Sequence, residues 1–279
     1  LDDALPVGSA PRMIDQVTKT PHRNLSMHTN GQRVYAIGDI HGCRDEFAQM
    51  RAAIAADLVS YPHPHPIIIT LGDYVDRGVD SAGVVEDLIA WLDGPLPIVA
   101  LRGNHDIFPR IYLDDPAQEY KPGMHWLDPR LGGNETLRSF GVLGAVASDP
   151  VASHSAARAA IPAHFFKFIE ETCVLTHRVG DYLFVHAGVN PARPLDDQDP
   201  YDLIWIRTGF LDFEGDFGAV IVHGHTPGRE VKHYGNRIAV DTGAVFGGVL
   251  SCLIIEDDQQ FVLQPKRRKG RQSLAKPVS

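Results

Sequence analysis

The chain has 279 residues, 44 % hydrophobic and 22 % charged, proportions that exclude a wholly disordered or fibrous protein. Its 26 Lys and Arg against 35 Asp and Glu give a net charge of −9, which does not suit a protein gripping nucleic acid through a broad basic surface. The strongest apolar runs, such as residues 67–71, are far too short to span a bilayer, and Cys43, Cys173 and Cys252 lie far apart without CxxC spacing and read as reduced thiols. Residues 1–32 are polar with scattered proline and no period, and are expected to form an extended arm. Residues 1–30 show no charged-then-apolar leader pattern, so the expected location is cytoplasmic.

From residue 33 onward one pattern recurs: a short apolar run of β type ends in Gly beside residue types that bind metal or move protons. Residues 34–37 run into Gly38-Asp39-Ile40-His41-Gly42. The spacing of Phe47, Met50, Ile54 and Leu58 then predicts one face of a helix. Residues 61–66, Tyr-Pro-His-Pro-His-Pro, read as a rigid loop into the next strand. Residues 67–71 run into Gly72-Asp73-Tyr74-Val75-Asp76-Arg77-Gly78, and Asp80 is expected to cap a helix through Leu92, stopped by Gly94. Residues 98–101 lead to Arg102-Gly103-Asn104-His105-Asp106. Residues 107–180 are Pro-broken and partly helical, a cap segment with Trp126 read as core. Residues 182–185 lead to His186-Ala187-Gly188, residues 219–222 to His223-Gly224-His225-Thr226, and residues 237–240 to Asp241-Thr242-Gly243. Residues 249–256 and 261–264 read as closing strands, followed by a basic, flexible tail over 266–279.

Strands alternating with helices, with polar loops after the strands, predict a layered α/β fold with its site beyond the strands' C-terminal ends. The site-bearing segments spread from Asp39 to Asp241, so residues 33–265 are expected as one domain. Asp39 and His41 are separated by one residue, and on an extended segment both would project to the same side and reach one ion. Asp73 can bridge two ions with its two oxygens. Asn104 offers a neutral oxygen, and His186 and His225 offer imidazole nitrogens. A mixed N/O set without thiolate suits Mn, Fe or Zn, and two such ions form the usual clamp for phosphoryl hydrolysis.

These motifs in combination, Gly-Asp-Ile-His-Gly, Gly-Asp-Tyr-Val-Asp-Arg-Gly, Gly-Asn-His-Asp, His-Ala-Gly and Gly-His-Thr, resemble the PPP-type phosphoprotein phosphatases of the calcineurin-like metallophosphoesterase superfamily. Residues 182–227, including Leu203-Ile204-Trp205-Ile206-Arg207, resemble the bacterial branch. The resemblance implies an α/β/β/α sandwich with a helical cap. It implies a first metal on Asp39, His41 and Asp73 and a second on Asp73, Asn104, His186 and His225, with manganese first in line. Arg77, Asn104 and Arg207 would bind phosphate. His105, supported by Asp76, would protonate the leaving oxygen as a metal-bound hydroxide attacks in line. His223 is expected beside the metals rather than on them, and Cys43 as an inert thiol.

Three departures from the wider family stand out. Asp106 replaces the Glu of many eukaryotic members, a change expected to lie outside the metal shell. Thr226-Pro227 follows His225 where many phosphodiesterases have a second His, which points to monoesters. Asp241-Thr242-Gly243-Ala244 takes the place of the eukaryotic C-terminal loop, so no regulatory subunit is expected. The expected substrate is phosphoserine or phosphothreonine in proteins, with phosphotyrosine and small phosphoesters as further candidates. Dinucleoside polyphosphates are the alternative, and a metal-bound adaptor without catalysis is the non-enzymatic rival.

Overall fold

Strand β2 (Arg33–Ile37) buries all five of its residues, and alternation sends them to two different cores. Tyr35 and Ile37 join a core shared with helices, while Val34 and Ala36 join a core shared with a second sheet. The computed structural model that shows this describes residues 14–16 and 27–265. The basic tail and most of the expected N-terminal arm therefore lie outside the described residues.

The first sheet holds β1 (Ile14–Gln16), β13 (Gln259–Leu263), β12 (Cys252–Glu256), β2, β3 (Pro66–Thr70) and β4 (Ile98–Ala100), in that order across the sheet. β2, β3 and β4 run parallel, so their C-terminal ends open on one edge, while β12 pairs antiparallel with both β2 and β13. The second sheet orders as β10 (Lys232–His233), β11 (Arg237–Ala239), β9 (Val220–His223), β8 (Tyr182–Val185) and β7 (Thr176–Val179). Its three central strands, β11, β9 and β8, are parallel.

Between the sheets, Val34, Ile67, Ile69, Leu253 and Ile255 meet Tyr182, Phe184, Val222 and Ile238. Outside the first sheet, Tyr35, Ile68 and Ile254 pack on α1 (Arg44–Ser60) and α2 (Ser81–Leu92), and with α3 (Phe108–Asp114) and α6 (Ala163–Lys167) they close one core. Outside the second sheet, Leu183, Val185 and Ile221 pack on Leu203 of α7 (Pro200–Trp205) and on Phe210 and Phe217. The layers are therefore α/β/β/α. Asp80 caps α2 as expected, its carboxylate accepting the Gly83 N–H at 2.8 Å. On α1, the buried positions are Phe47, Met50, Ile54 and Asp57, with Leu58 only half-buried. The Tyr35 hydroxyl donates to Asp57 at 2.7 Å, which lets a carboxylate sit at the end of the apolar face.

Residues 107–180 hold α3, α4 (Gly133–Ser139), α5 (His154–Ala160), α6, a π-helical turn (Phe168–Thr172) and a small hairpin of β5 (Glu119–Lys121) and β6 (Met124–His125). They also hold β7, a strand that the sequence reading did not separate from this segment. The three cysteines are free thiols. Among the described residues, no helix is long and apolar enough to cross a membrane.

Candidate active site

The parallel strands stop short of the residues that matter, and tight turns then aim those residues. Among the described residues, seven non-glycine residues have positive φ. Five are His41, Asp73, Asp76, Arg77 and His225, at φ 46°, 53°, 74°, 68° and 63°. Left-handed backbone is costly for such side chains and persists only where the surroundings enforce it. It also corrects the premise about Asp39 and His41, because His41 is folded back rather than extended. Asn104 and His105 likewise do not alternate along a strand: Asn104 is α-helical in φ and ψ, and His105 opens a single 3-10 turn.

Hydrogen bonds between the strand ends hold these turns. The Asp73 carbonyl accepts the Ile40 and His41 N–H groups, tying the β3 end to the β2 end. Asp106 ties β3 to β4: its carboxylate accepts the N–H groups of Asp73, Tyr74 and Gly103 at 2.8–2.9 Å. Gly72, at φ +94°, lies against Gly103, and a Cβ on Gly103 would stand 2.1 Å from Asp73 Oδ1. Only glycine at both positions lets the two loops approach so closely.

Asp73 sits between two imidazoles, with Oδ2 3.4 Å from His41 Nε2 and Oδ1 3.5 Å from His186 Nε2. His41 Nδ1 lies 2.8 Å from the Val75 carbonyl and His186 Nδ1 2.7 Å from the Leu71 carbonyl. A carbonyl can only accept, so both rings carry their proton on Nδ1 and turn a bare Nε2 inward. Around His186 Nε2 stand Asn104 Oδ1 at 3.0 Å and His225 Nδ1 at 3.2 Å. Two groups of three residues result: His41, Asp73 and His105, and Asp73, His186 and His225, each with ligand atoms within 4.8 Å of one another. Asp39 borders the same cleft, but its carboxylate accepts the His225 N–H, and His105 completes the first group in its place. His223 belongs to neither group. Its ring meets Phe210 edge-on at 5.0 Å, and its Nδ1 is 3.0 Å from the Gly224 carbonyl.

The electrostatics fit cations. Burial pushes Asp73, Asp76 and Asp106 up to about 7 and Asp241 to about 6. Asp39 is raised well above the usual carboxylate range by burial and then by Asp241 and Asp73. Burial lowers His186 to about 4 and holds His41 well below its ordinary value, with the Arg77 charge adding to the latter. Crowded, desolvated carboxylates beside neutral imidazoles repel one another until positive charge arrives. The donor set, nitrogen and oxygen without sulfur, therefore fits two divalent ions.

His105 has a second attachment. Its Nδ1 donates to Asp76 Oδ2 at 2.7 Å. Asp76 is fully buried and also accepts from Trp126 Nε1, 3.0 Å from each oxygen, and from the Thr136 hydroxyl at 2.7 Å. The cap segment thus reaches under the site to hold Asp76, a role for Trp126 that the sequence reading missed. The Arg77 guanidinium donates to His41 Nε2 at 2.6 Å and His105 Nε2 at 2.8 Å. Arg207 follows α7 by two residues and donates to the His225 carbonyl at 3.0 Å. Arg77, Arg207, Asp39, His41, His225 and Asp241 line one cleft. Asp241 is a further cleft residue, one to which the sequence reading gave no role. Its signal was the same strand-end position that marks Asp39 and Asp73.

A shared carboxylate between two His-rich groups, on parallel strand ends of an α/β/β/α sandwich, defines a metallophosphoesterase. Residues 32–249 match the calcineurin-like phosphoesterase family, and the chain belongs to it. It is a hydrolase, and the family uses a dinuclear metal site. The chain is 26 % identical over 249 residues to asymmetrical bis(5'-nucleosyl)-tetraphosphatase PrpE of Halalkalibacterium halodurans, covering 83 % of this chain and 93 % of that protein. It is 27 % identical over 236 residues to serine/threonine-protein phosphatase 1 of Salmonella typhimurium, covering 81 % of this chain and 94 % of that one. A solved cold-active protein tyrosine phosphatase shares the fold at a TM-score of 0.56 and 15 % identity, over 91 % of this chain and 86 % of that chain.

Proposed function

We propose that the chain is a metal-dependent phosphomonoester hydrolase of the cytoplasm that acts on phosphoserine and phosphothreonine in proteins, with phosphotyrosine as a further substrate and manganese as its ion. The observation that carries this reading is the Asp76–His105 pair. A buried carboxylate fixes an imidazole at 2.7 Å, beside the residues that would hold metal, where an alkoxide leaving group needs a proton. Pro227, where a second histidine would suit a diester, supports the same choice.

Asp39, His41 and Asp73 would hold one ion and Asp73, Asn104, His186 and His225 the other. The ions, when bound, supply positive charge for the phosphoryl group and an activated water. The chain's own residues do the rest. Arg77 and Arg207, both lining the cleft, would grip phosphate oxygens with their forked guanidinium groups, and Asn104 would add its amide. His105 Nε2, which accepts from Arg77 in the structure, would take up a proton from solvent and deliver it to the departing oxygen. Asp76 keeps the other ring nitrogen protonated and steadies the imidazolium charge, and Trp126 and Thr136 keep Asp76 in place.

Dinucleoside polyphosphates are the second reading, favoured by the relationship to the tetraphosphatase over most of both chains. The test is a panel of phosphopeptides, p-nitrophenyl phosphate and diadenosine tetraphosphate, each assayed with Mn, Fe and Zn. Faster turnover of diadenosine tetraphosphate than of every phosphopeptide would replace the first reading with the second.

A further inference from the structure

Beside the cleft stands a group of stacked rings that neither the metal site nor the proton relay uses. Trp205, the last residue of α7, stacks on Tyr120 of β5, with centroids 4.7 Å apart and planes at 14°. Tyr201, one helical turn earlier, stacks on the same indole at 6.0 Å and 26°. Phe108 supports the pair edge-on, 5.9 Å from Trp205 and 5.6 Å from Tyr120. The group reaches the site directly: Trp205 meets His225 edge-on at 6.3 Å, and Phe108 meets His105 at 5.5 Å. Yet its outer members face solvent, Tyr201 at 62 % exposure and Tyr120 at 36 %.

We infer that these rings form a stacking subsite for the base of a nucleotide whose phosphates enter the metal cleft, an inference that rests on the second reading above. Two observations favour a nucleobase over an aromatic side chain of a peptide. Tyr201 stacks on the indole by one face and is otherwise exposed, so its outer face is presented to solvent, and faces are what bases take. Positive charge also stands beside the rings. Arg207 follows Trp205 by two residues, and the Lys121 ammonium stands 5.6 Å from the Tyr120 ring, which suits a chain of phosphates better than a single one. The Tyr120 phenol feels both Tyr201 and Arg207, which places the rings within electrostatic reach of the phosphate-binding arginine.

The experiment uses the manganese-loaded full chain and two probes, ADP and inorganic diphosphate, which differ by the nucleoside. Calorimetry gives the Kd of each for the wild-type, Tyr201→Ala and Tyr201→Phe chains. Stacking on one ring implies that Tyr201→Ala weakens ADP by about five- to a hundredfold. Diphosphate should change less than twofold, and Tyr201→Phe should restore ADP binding. ADP binding no tighter than diphosphate in the wild type would overturn the inference. So would equal weakening of both probes in Tyr201→Ala, or weakening of an aromatic phosphopeptide alone. Diadenosine tetraphosphate turnover separates this inference from the reading beneath it. Turnover with an unchanged KM in Tyr201→Ala overturns the subsite and leaves the reading. No turnover, with ring-dependent ADP binding, overturns the reading and leaves the subsite.

Discussion

Replacing Asp76 by Asn removes a charge from beneath His105 while keeping the shape of the site. The amide can be satisfied. Its oxygen takes the place of Oδ2, accepting from His105 Nδ1 and Trp126 Nε1, its NH2 faces the Thr136 hydroxyl, which can accept instead of donate, and the indole N–H, 3.0 Å from both positions, has only to tilt toward the oxygen. What disappears is the stabilisation of imidazolium by carboxylate. A hydrogen bond to a charged group is worth about 1.5–3 kcal/mol and a neutral one about 0.5–1.5. A difference of about 1–2 kcal/mol in the transition state slows the reaction roughly five- to thirtyfold. That loss applies where the leaving oxygen needs a full proton. The assay is kcat/KM on a phosphoserine peptide, phenyl phosphate and p-nitrophenyl phosphate, with metal content measured alongside. The loss should be largest for the peptide and smallest for p-nitrophenyl phosphate. His105→Asn should show the same order, with a loss nearer 10²–10⁴ on the peptide. Equal losses on all three substrates, with two ions retained, would refute the proton relay and leave His105 as a phosphate-binding or structural residue.

Asp73→Asn should lose both ions together, because its two oxygens face different histidines; two ions per chain by elemental analysis would disprove the bridge. Arg207→Ala should keep its metal and lose about ten- to a hundredfold in kcat/KM as a charge-assisted phosphate contact disappears, and unchanged kinetics would show that Arg207 serves elsewhere. Asp241→Asn should weaken manganese binding about tenfold in a calorimetric titration, since its carboxylate adds negative charge beside Asp39 and Asp73; an unchanged Kd would remove it from the metal site.

The strands and their catalytic ends were legible because both signals are local. A short continuous apolar run marks a strand buried on both faces, and Gly-Asp or Gly-His marks where it stops. The aiming of side chains was not legible, because it comes from left-handed turns at His41 and Asp73 that contacts between strands enforce. The same holds for the longer-range attachments. Asp106 looked incidental because nothing in the sequence says that Gly103 and Asp73 abut. Trp126 reads as core from composition, and it is buried, but its Nε1–H finds Asp76 across fifty residues. The helix face reads from Phe47, Met50, Ile54 and Leu58 alone, and only the placement of Tyr35 shows that Asp57 is buried on it. β7 escaped notice because Thr-His-Arg-Val lacks the apolar content of the other strands.

The contact of Gly72 with Gly103 means that the gauge of the site is cut into the main chain. Asp73 cannot retreat from the β4 loop, and that loop cannot close further, because backbone already touches backbone. An engineer who wanted a wider or narrower pair of ions would gain little from exchanging ligands one at a time. The register of two neighbouring strands would have to be rebuilt, which makes this enzyme a poor starting point for new metals and a good one for new substrates.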